Sequence, residues 1–302
     1  MKHTLLTFLM LIAVWTNPAL ALAAESEDAG IKQLVALTKA QSYVKATNLF
    51  DRLIEADPNN PQLRLAGARL YRRMGMFARA MSEYKLLMKS DPNLVEPVIA
   101  LSQMYMEYLN LPQAMTLARH AVSIRPNDKE ARIALCTVLI ASDYLKEAEE
   151  ELTKLQKQGG SDADVNYVAY KLYLKHGLMG KARQQLEAAL KLDPSNGPWL
   201  LDLSELCEMQ GDYAMANQCL QRALYADPLS VDKLSRMATL QEYFLQNYDQ
   251  AIEQYKRILA IDPNSVSALA GLDRCKARKN DLAGILKIQI RALAARLFKL
   301  LA

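Results

Sequence analysis

Residues 193–228 read DPSNGPWLLDLSELCEMQGDYAMANQCLQRALYADP, and the fold follows from them. One apolar pattern with helical spacing passes through Trp199, Leu203 and Cys207; a second passes through Ala216, Leu220 and Ala223. Between them lies a turn at Gly211, Asp212 and Tyr213, and Asp-Pro stands at both ends. Proline cannot continue a helix and pushes the residue before it away from helical backbone. An aspartate in that place can hydrogen-bond the following turn. The stretch therefore predicts one helix-turn-helix hairpin, bounded by two breakers.

Counting outward shows that most of the chain is this hairpin repeated. Pro58, Pro92 and Pro126 stand 34 residues apart, Gly160 takes the next step, Pro194 and Pro228 follow, and Pro263 comes one residue late. Aspartate precedes five of these prolines (Asp57, Asp91, Asp193, Asp227 and Asp262), and Arg125 precedes the sixth. A second register agrees with the first: Ala46, Ala80, Ala114, Ala148, Ala182, Ala216 and Ala251 recur without a substitution. Twelve residues before these alanines the partner helix is mostly small, at Ala68, Ser102, Cys136 and Ser204. Small residues on both helices allow a close approach. Leu34 and Tyr170 depart from that pattern, so altered helix spacing is expected in the first and fifth hairpins. The first hairpin also reads as weak in its first helix, with Gly30, Gln33 and Leu34 at packing positions, as suits a terminal repeat. The seventh carries an extra residue, which predicts a bulge near Tyr243 to Asn247.

These features resemble the tetratricopeptide repeat, whose period is 34 residues. Gly67, Tyr71, Ala80, Tyr84 and Pro92 match its pattern in one unit, and Leu203, Gly211, Asp212, Tyr213, Ala216 and Pro228 in another. The resemblance implies an all-α, right-handed superhelical solenoid of stacked hairpins over residues 24–279, seven to eight repeats in all. Pentatricopeptide repeats, which bind RNA, fit less well in period and lack the Asp-Pro signature.

The ends read differently. Lys2 and His3 precede an apolar run from Leu5 to Val14, and Ala21-Leu22-Ala23 forms a small-x-small site. This is the pattern of a secretory signal peptide over residues 1–23, cut after Ala23, and it predicts a periplasmic or secreted protein. An uncleaved anchor is the other reading, although the apolar run is short for a bilayer span of about 20 residues. At the far end, residues 280–302 predict a basic amphipathic helix. Leu286, Ile290, Leu293, Leu297 and Leu300 form one seam, with Lys287, Arg291, Arg296 and Lys299 away from it. Covering the last repeat is the expected role. A peripheral contact of residues 282–302 with an anionic membrane surface and a dimer seam remain open.

Little in the chain suggests chemistry. Hydrophobic residues make up 51% and charged residues 23%, a folded composition, and 37 basic against 33 acidic residues give +4. That excess is too small and too dispersed to argue for nucleic acid. No phosphate-cradling loop, nucleophile motif or metal-ligand spacing is present, so neither an enzyme nor a cofactor nor a metal is expected. His120 and His176 have no nucleophile nearby in sequence, and Glu149-Glu150-Glu151 reads as a solvated face. The four cysteines are Cys136, Cys207, Cys219 and Cys275. Cys207 and Cys219 lie on the two helices of one hairpin, where a bridge is geometrically conceivable; the alternative is that all four act as small buried apolar residues.

The remaining functional surface is the groove that the first helices of the hairpins would line. Inward positions are the second, fifth, ninth and twelfth of each unit. They nominate Arg69, Arg72, Ile99, Gln103, Met106, Ile133, Thr137, Ile140, Tyr167, Lys171, Leu174, Leu201, Glu205 and Glu208. Some members of this family hold a chaperone tail by a lysine-asparagine clamp, but the matching positions here do not supply one. An apolar stripe with charged flanks suits a helical or extended segment of another protein. The sequence thus predicts a scaffold or assembly factor at the cell envelope that binds proteins of unknown identity. A membrane-surface adaptor working through its last helix, and the binding arm of an envelope enzyme complex, are the alternatives.

Overall fold

The structure is a computed structural model and describes residues 18–159 and 162–280. Among these residues every regular element is helical. The helices are α1 (Pro18–Lys39), α2 (Tyr43–Ala56), α3 (Pro61–Arg73), α4 (Phe77–Ser90), α5 (Val95–Glu107), α6 (Leu111–Ile124), α7 (Lys129–Ala141) and α8 (Leu145–Gln158). There follow α9 (Ala163–Lys175), α10 (Met179–Leu192), α11 (Gly197–Met209), α12 (Tyr213–Ala226), α13 (Val231–Thr239), α14 (Tyr248–Ile261) and α15 over residues 266–280. Odd-numbered helices are the first, or A, helices of the hairpins and even-numbered ones the second, or B, helices. The chain divides at Leu155/Gln156 into two compact units. The signal-peptide reading falls almost wholly outside the described residues, although α1 spans the predicted cut after Ala23. The terminal amphipathic helix also lies outside them, with its capping, membrane and dimer readings.

Each hairpin is built by the signals read from the sequence. All seven register alanines have no exposed surface. The small residues opposite them also make specific bonds: Ser102 Oγ donates to the Ala114 carbonyl at 2.8 Å, and Cys136 Sγ to that of Ala148 at 3.4 Å. The Asp-Pro corners close as expected, since the carboxylates of Asp57, Asp91 and Asp262 accept the backbone N–H two residues on. Side chains of Asn60, Asn110, Asp128, Asn196, Asp212 and Asn247 accept a backbone N–H at the start of the next helix. Such caps satisfy donors that the first turn leaves unpaired.

The turn inside every hairpin places one residue in the left-handed region. These residues are Gln41, Leu109, Asp143 and Gln246 beside Gly75, Gly177 and Gly211, all in one register. Glycine adopts that backbone without a Cβ clash, whereas the others are strained. Gly67 serves a different need: a Cβ there would come within 2.2 Å of the Phe50 ring, so its absence lets α2 pack on α3.

Three expectations are revised. The first hairpin is no weak start, because Leu34 is completely buried and Thr38 nearly so, with the Thr38 hydroxyl bonded to the Leu34 carbonyl at 2.8 Å. Glu151 does not belong to a solvated face: it pairs with Arg132 of α7 and Lys154, and only its neighbours Glu149 and Glu150 are exposed. The extra residue of the seventh hairpin is absorbed earlier than expected, in a π-helical turn at Leu240–Phe244 that continues α13. All four cysteines stand as free, buried thiols, Cys207 and Cys219 among them. Burial pushes Cys136 up to about 12 and Cys219 and Cys275 up to about 11, the behaviour of packing residues rather than reactive thiols.

Candidate functional site: the A-helix faces

In the first unit the predicted groove residues converge. A cleft of about 500 Å³ is lined by Arg69, Arg72, Arg73, Tyr84, Glu96, Ile99, Ala100, Gln103 and Glu130. A second, of about 170 Å³, is lined by Arg72, Gln103, Met106, Glu107, Ile133, Ala134, Thr137 and Val138. The two share Arg72 and Gln103, so together they run across α3, α5 and α7. Of the eight nominated residues in this unit, seven line one or both clefts. Ile140 does not; it is 4% exposed and belongs to the interior.

The polar groups form a ladder between α3 and α5. Arg69 pairs with Glu96. Arg72 donates to Gln103 Oε1 at 3.0 Å and to Glu107 Oε1 at 2.9 Å. These bonds spend two of the three arginines on the protein itself. Arg73 and Glu130 are exposed and have no hydrogen-bond or ion-pair partner among the described residues. The floor between them is apolar, with Ile99 6% and Tyr84 2% exposed. The cleft thus offers one unspent cation, one unspent anion and an apolar seat.

The second unit treats its A-helix face differently. Tyr167 donates to Asp202 Oδ2 at 2.7 Å, stacks on Trp199 at 5.1 Å and carries Lys171 Nζ 4.6 Å above its ring. Tyr167, Leu174 and Leu201 are half-buried and pack on the core of the unit. Burial pushes the Asp202 carboxyl up, partly offset by the Tyr167 hydrogen bond and Lys171. Burial also lowers Lys171, partly offset by Asp202. Glu208 accepts from Arg236 at 2.9 Å and from Ser204 Oγ at 3.2 Å, while Glu205 is exposed. Here most of the nominated side chains are engaged by the protein itself. Asp202 and Arg236 escaped notice in the sequence, yet a signal was present: the same place holds Ala66, Ala100, Ala134 and Val168 in other repeats.

No group of three or more metal-ligating side chains gathers among the described residues. No described helix is long and apolar enough to cross a membrane. What the arrangement can do is bind, by apolar contact and directed charge.

Consecutive helix hairpins with a 34-residue register and an A-helix face lined by variable side chains define a helical-repeat binding protein. A tetratricopeptide repeat model matches residues 37–102 and 173–240, and a second matches 234–265. Together they cover more than half of the chain, which belongs to the tetratricopeptide repeat family. Proteins of this family generally mediate protein–protein interaction or assembly and are generally non-catalytic. Superkiller complex protein 3 of Mus musculus is 30% identical over 159 residues, 52% of this chain and 10% of that protein. The chain therefore spans about a tenth of the length of that relative. Similar solved structures include PilW, described as a type IV pilus biogenesis factor, with a TM-score of 0.57 and 19% identity over 70% of this chain and 98% of that one. Another is Cut9–Hcn1 of the APC/C, with a TM-score of 0.60 and 17% identity over 80% of this chain and 48% of that one. At such identities the likeness concerns the fold.

Proposed function

We propose that this chain is a non-catalytic assembly or scaffold protein of the cell envelope, and that its first unit holds a segment of a partner protein across α3, α5 and α7. The observation that carries this reading is the pair of adjoining clefts, with an apolar floor between unspent Arg73 and Glu130. A partner segment with one apolar anchor, an acidic residue toward Arg73 and a basic residue toward Glu130 is complementary to it. Buried apolar anchors contribute about 1.5–3 kcal/mol each. Ordering a flexible segment costs roughly 2–5 kcal/mol, so the affinity is expected to be modest and to rest on two or three anchors. The envelope location rests on the signal-peptide pattern of residues 1–23 and is part of the proposal.

A photo-crosslinking side chain at Gln103, in the full chain expressed in its own host, tests the reading. One adduct of defined mass is expected, lost with Ile133→Asp and reduced about tenfold with Arg73→Glu, a change of roughly 1.4 kcal/mol. Both variants should keep the helical circular dichroism of the parent. Adducts that are absent, or indifferent to both substitutions in a folded protein, would refute it.

A further inference from the structure

The second unit carries a cleft between its B helices. It measures about 430 Å³ and opens between the B helices α12 and α14, with α13 beneath. Its walls are rich in carboxamides: Asn217 and Gln221 from α12, Gln241 from the π turn, and Gln250 and Gln254 from α14. The inner ones are set by bonds to the protein. Gln241 Nε2 donates to Asn217 Oδ1 at 2.9 Å, and Gln254 Oε1 accepts from Arg257 at 2.9 Å. Arg257 also donates to the Pro228 carbonyl at 3.1 Å, which fixes the guanidinium against the neighbouring corner. The outer carboxamides, Gln221 and Gln250, are exposed on opposite walls and have no side-chain partner among the described residues.

This polarity is local to the cleft. At the Gln221 position other repeats carry Asp51, Lys85, Arg119, Thr153, Glu187 and Lys256. At the Tyr225 position they carry Glu55, Lys89, Ser123, Lys157 and Lys191. At these two positions the polar or charged residue common elsewhere is replaced by a neutral amide and an exposed tyrosine, while Glu253 and Arg257 of α14 are the charged residues of the lining. The π turn contributes as well, because the residue it inserts belongs to the stretch that holds Gln241, 2% exposed, in the floor. π turns within α-helices recur at functional sites.

We propose that this cleft binds the main chain of an extended polypeptide segment. A side-chain carboxamide offers one acceptor and two donors, the complement of a peptide group. Gln221 and Gln250 would each pair with a peptide unit, and Met237 and Leu224 below them would receive one small apolar side chain. The cleft volume lies within the usual range of small-ligand sites, about 300–1,000 Å³, and holds only a short stretch of chain. The site lies in the other unit from the proposed groove contact and stands or falls without it.

The test is a titration of the full chain, its glutamine side chains labelled with nitrogen-15, with N-acetyl-pentaglycine amide. Sarcosine pentamer, a chain of the same form without N–H groups, serves as comparison, and chitotriose as a neutral saccharide. The Gln221 and Gln250 side-chain resonances are expected to move with the glycine chain and not with the sarcosine chain. Gln221→Leu with Gln250→Leu should weaken binding at least fivefold. If that pair of changes disturbs folding, the single exposed change Gln221→Glu decides in its place. No movement with the glycine chain, equal movement with the sarcosine chain, or tighter binding of chitotriose overturns the proposal.

Discussion

The backbone of single turn residues shows what each hairpin demands. Leu109 sits at φ 57° with its side chain 84% exposed, in the register place that Gly75, Gly177 and Gly211 hold elsewhere. A non-glycine residue in left-handed backbone costs about 1–2 kcal/mol. Replacing it with glycine returns roughly 0.4–1 kcal/mol of that to the freer unfolded chain. Leu109→Gly should therefore raise stability by about 0.5–1 kcal/mol, seen as an increase of roughly 1–3 °C in the thermal midpoint. Gly75→Leu should shift it the other way. The glycine turns were legible in the sequence as breakers. Leu109 was not, because leucine carries no turn signal and its strain is imposed by the helices on either side.

At the scale of the element, the end of α13 carries the strongest electrostatic commitment. Glu242 has no exposed surface and receives Arg274 Nε at 2.8 Å, Arg274 Nη2 at 3.1 Å and the Tyr255 hydroxyl at 2.7 Å. Burial alone would push its carboxyl up, but the bonds from Arg274 and Tyr255 outweigh it and hold the carboxyl below the usual range. Breaking a buried pair costs about 3–5 kcal/mol. Arg274 keeps 43% of its side chain in water, so Glu242→Gln should cost less, about 2 kcal/mol in urea unfolding at neutral pH. A carboxyl whose folded pKa lies below its unfolded value stabilises above the unfolded pKa, and that gain disappears as pH falls through the folded one. The difference between parent and variant should thus hold at neutral pH and shrink below about pH 4.3, the ordinary glutamate value. A constant difference down to pH 3 would contradict this account. The extra residue of this repeat could be counted in the sequence, but its place could not. A π turn at Leu240–Phe244 is selected because it buries Leu240 and brings Glu242 to Arg274.

At the scale of the molecule, stacked hairpins bury their apolar faces against sequence neighbours, and stability is distributed repeat by repeat. Ala216 has no exposed surface, and a larger side chain there overpacks α11 against α12, at a cost of about 1–3 kcal/mol. Ala216→Leu should accelerate amide hydrogen exchange in α11 and α12 and leave α3 to α6, in the first unit, within about twofold of the parent. A uniform loss of protection through both units would show that the chain unfolds as a single block.

The sequence by itself determined the hairpin, its period and the close contact of its two helices. These depend on residues a fixed distance apart on local elements: the Asp-Pro corners, the buried alanines and the small residues facing them. It also put seven first-unit positions on a common face, where they line the two clefts, because helical periodicity fixes which face a side chain occupies. Tertiary structure decided which of all the nominated positions are engaged by the protein itself. Arg69 and Arg72 are spent on the neighbouring helix, Ile140 is buried, and Tyr167 is closed against Trp199 and Asp202. It also created the amide cleft between α12 and α14, whose walls lie a full repeat apart in the chain and meet only when hairpins stack. Periodicity specifies the direction of a side chain, whereas partners and open space arise only from packing between repeats.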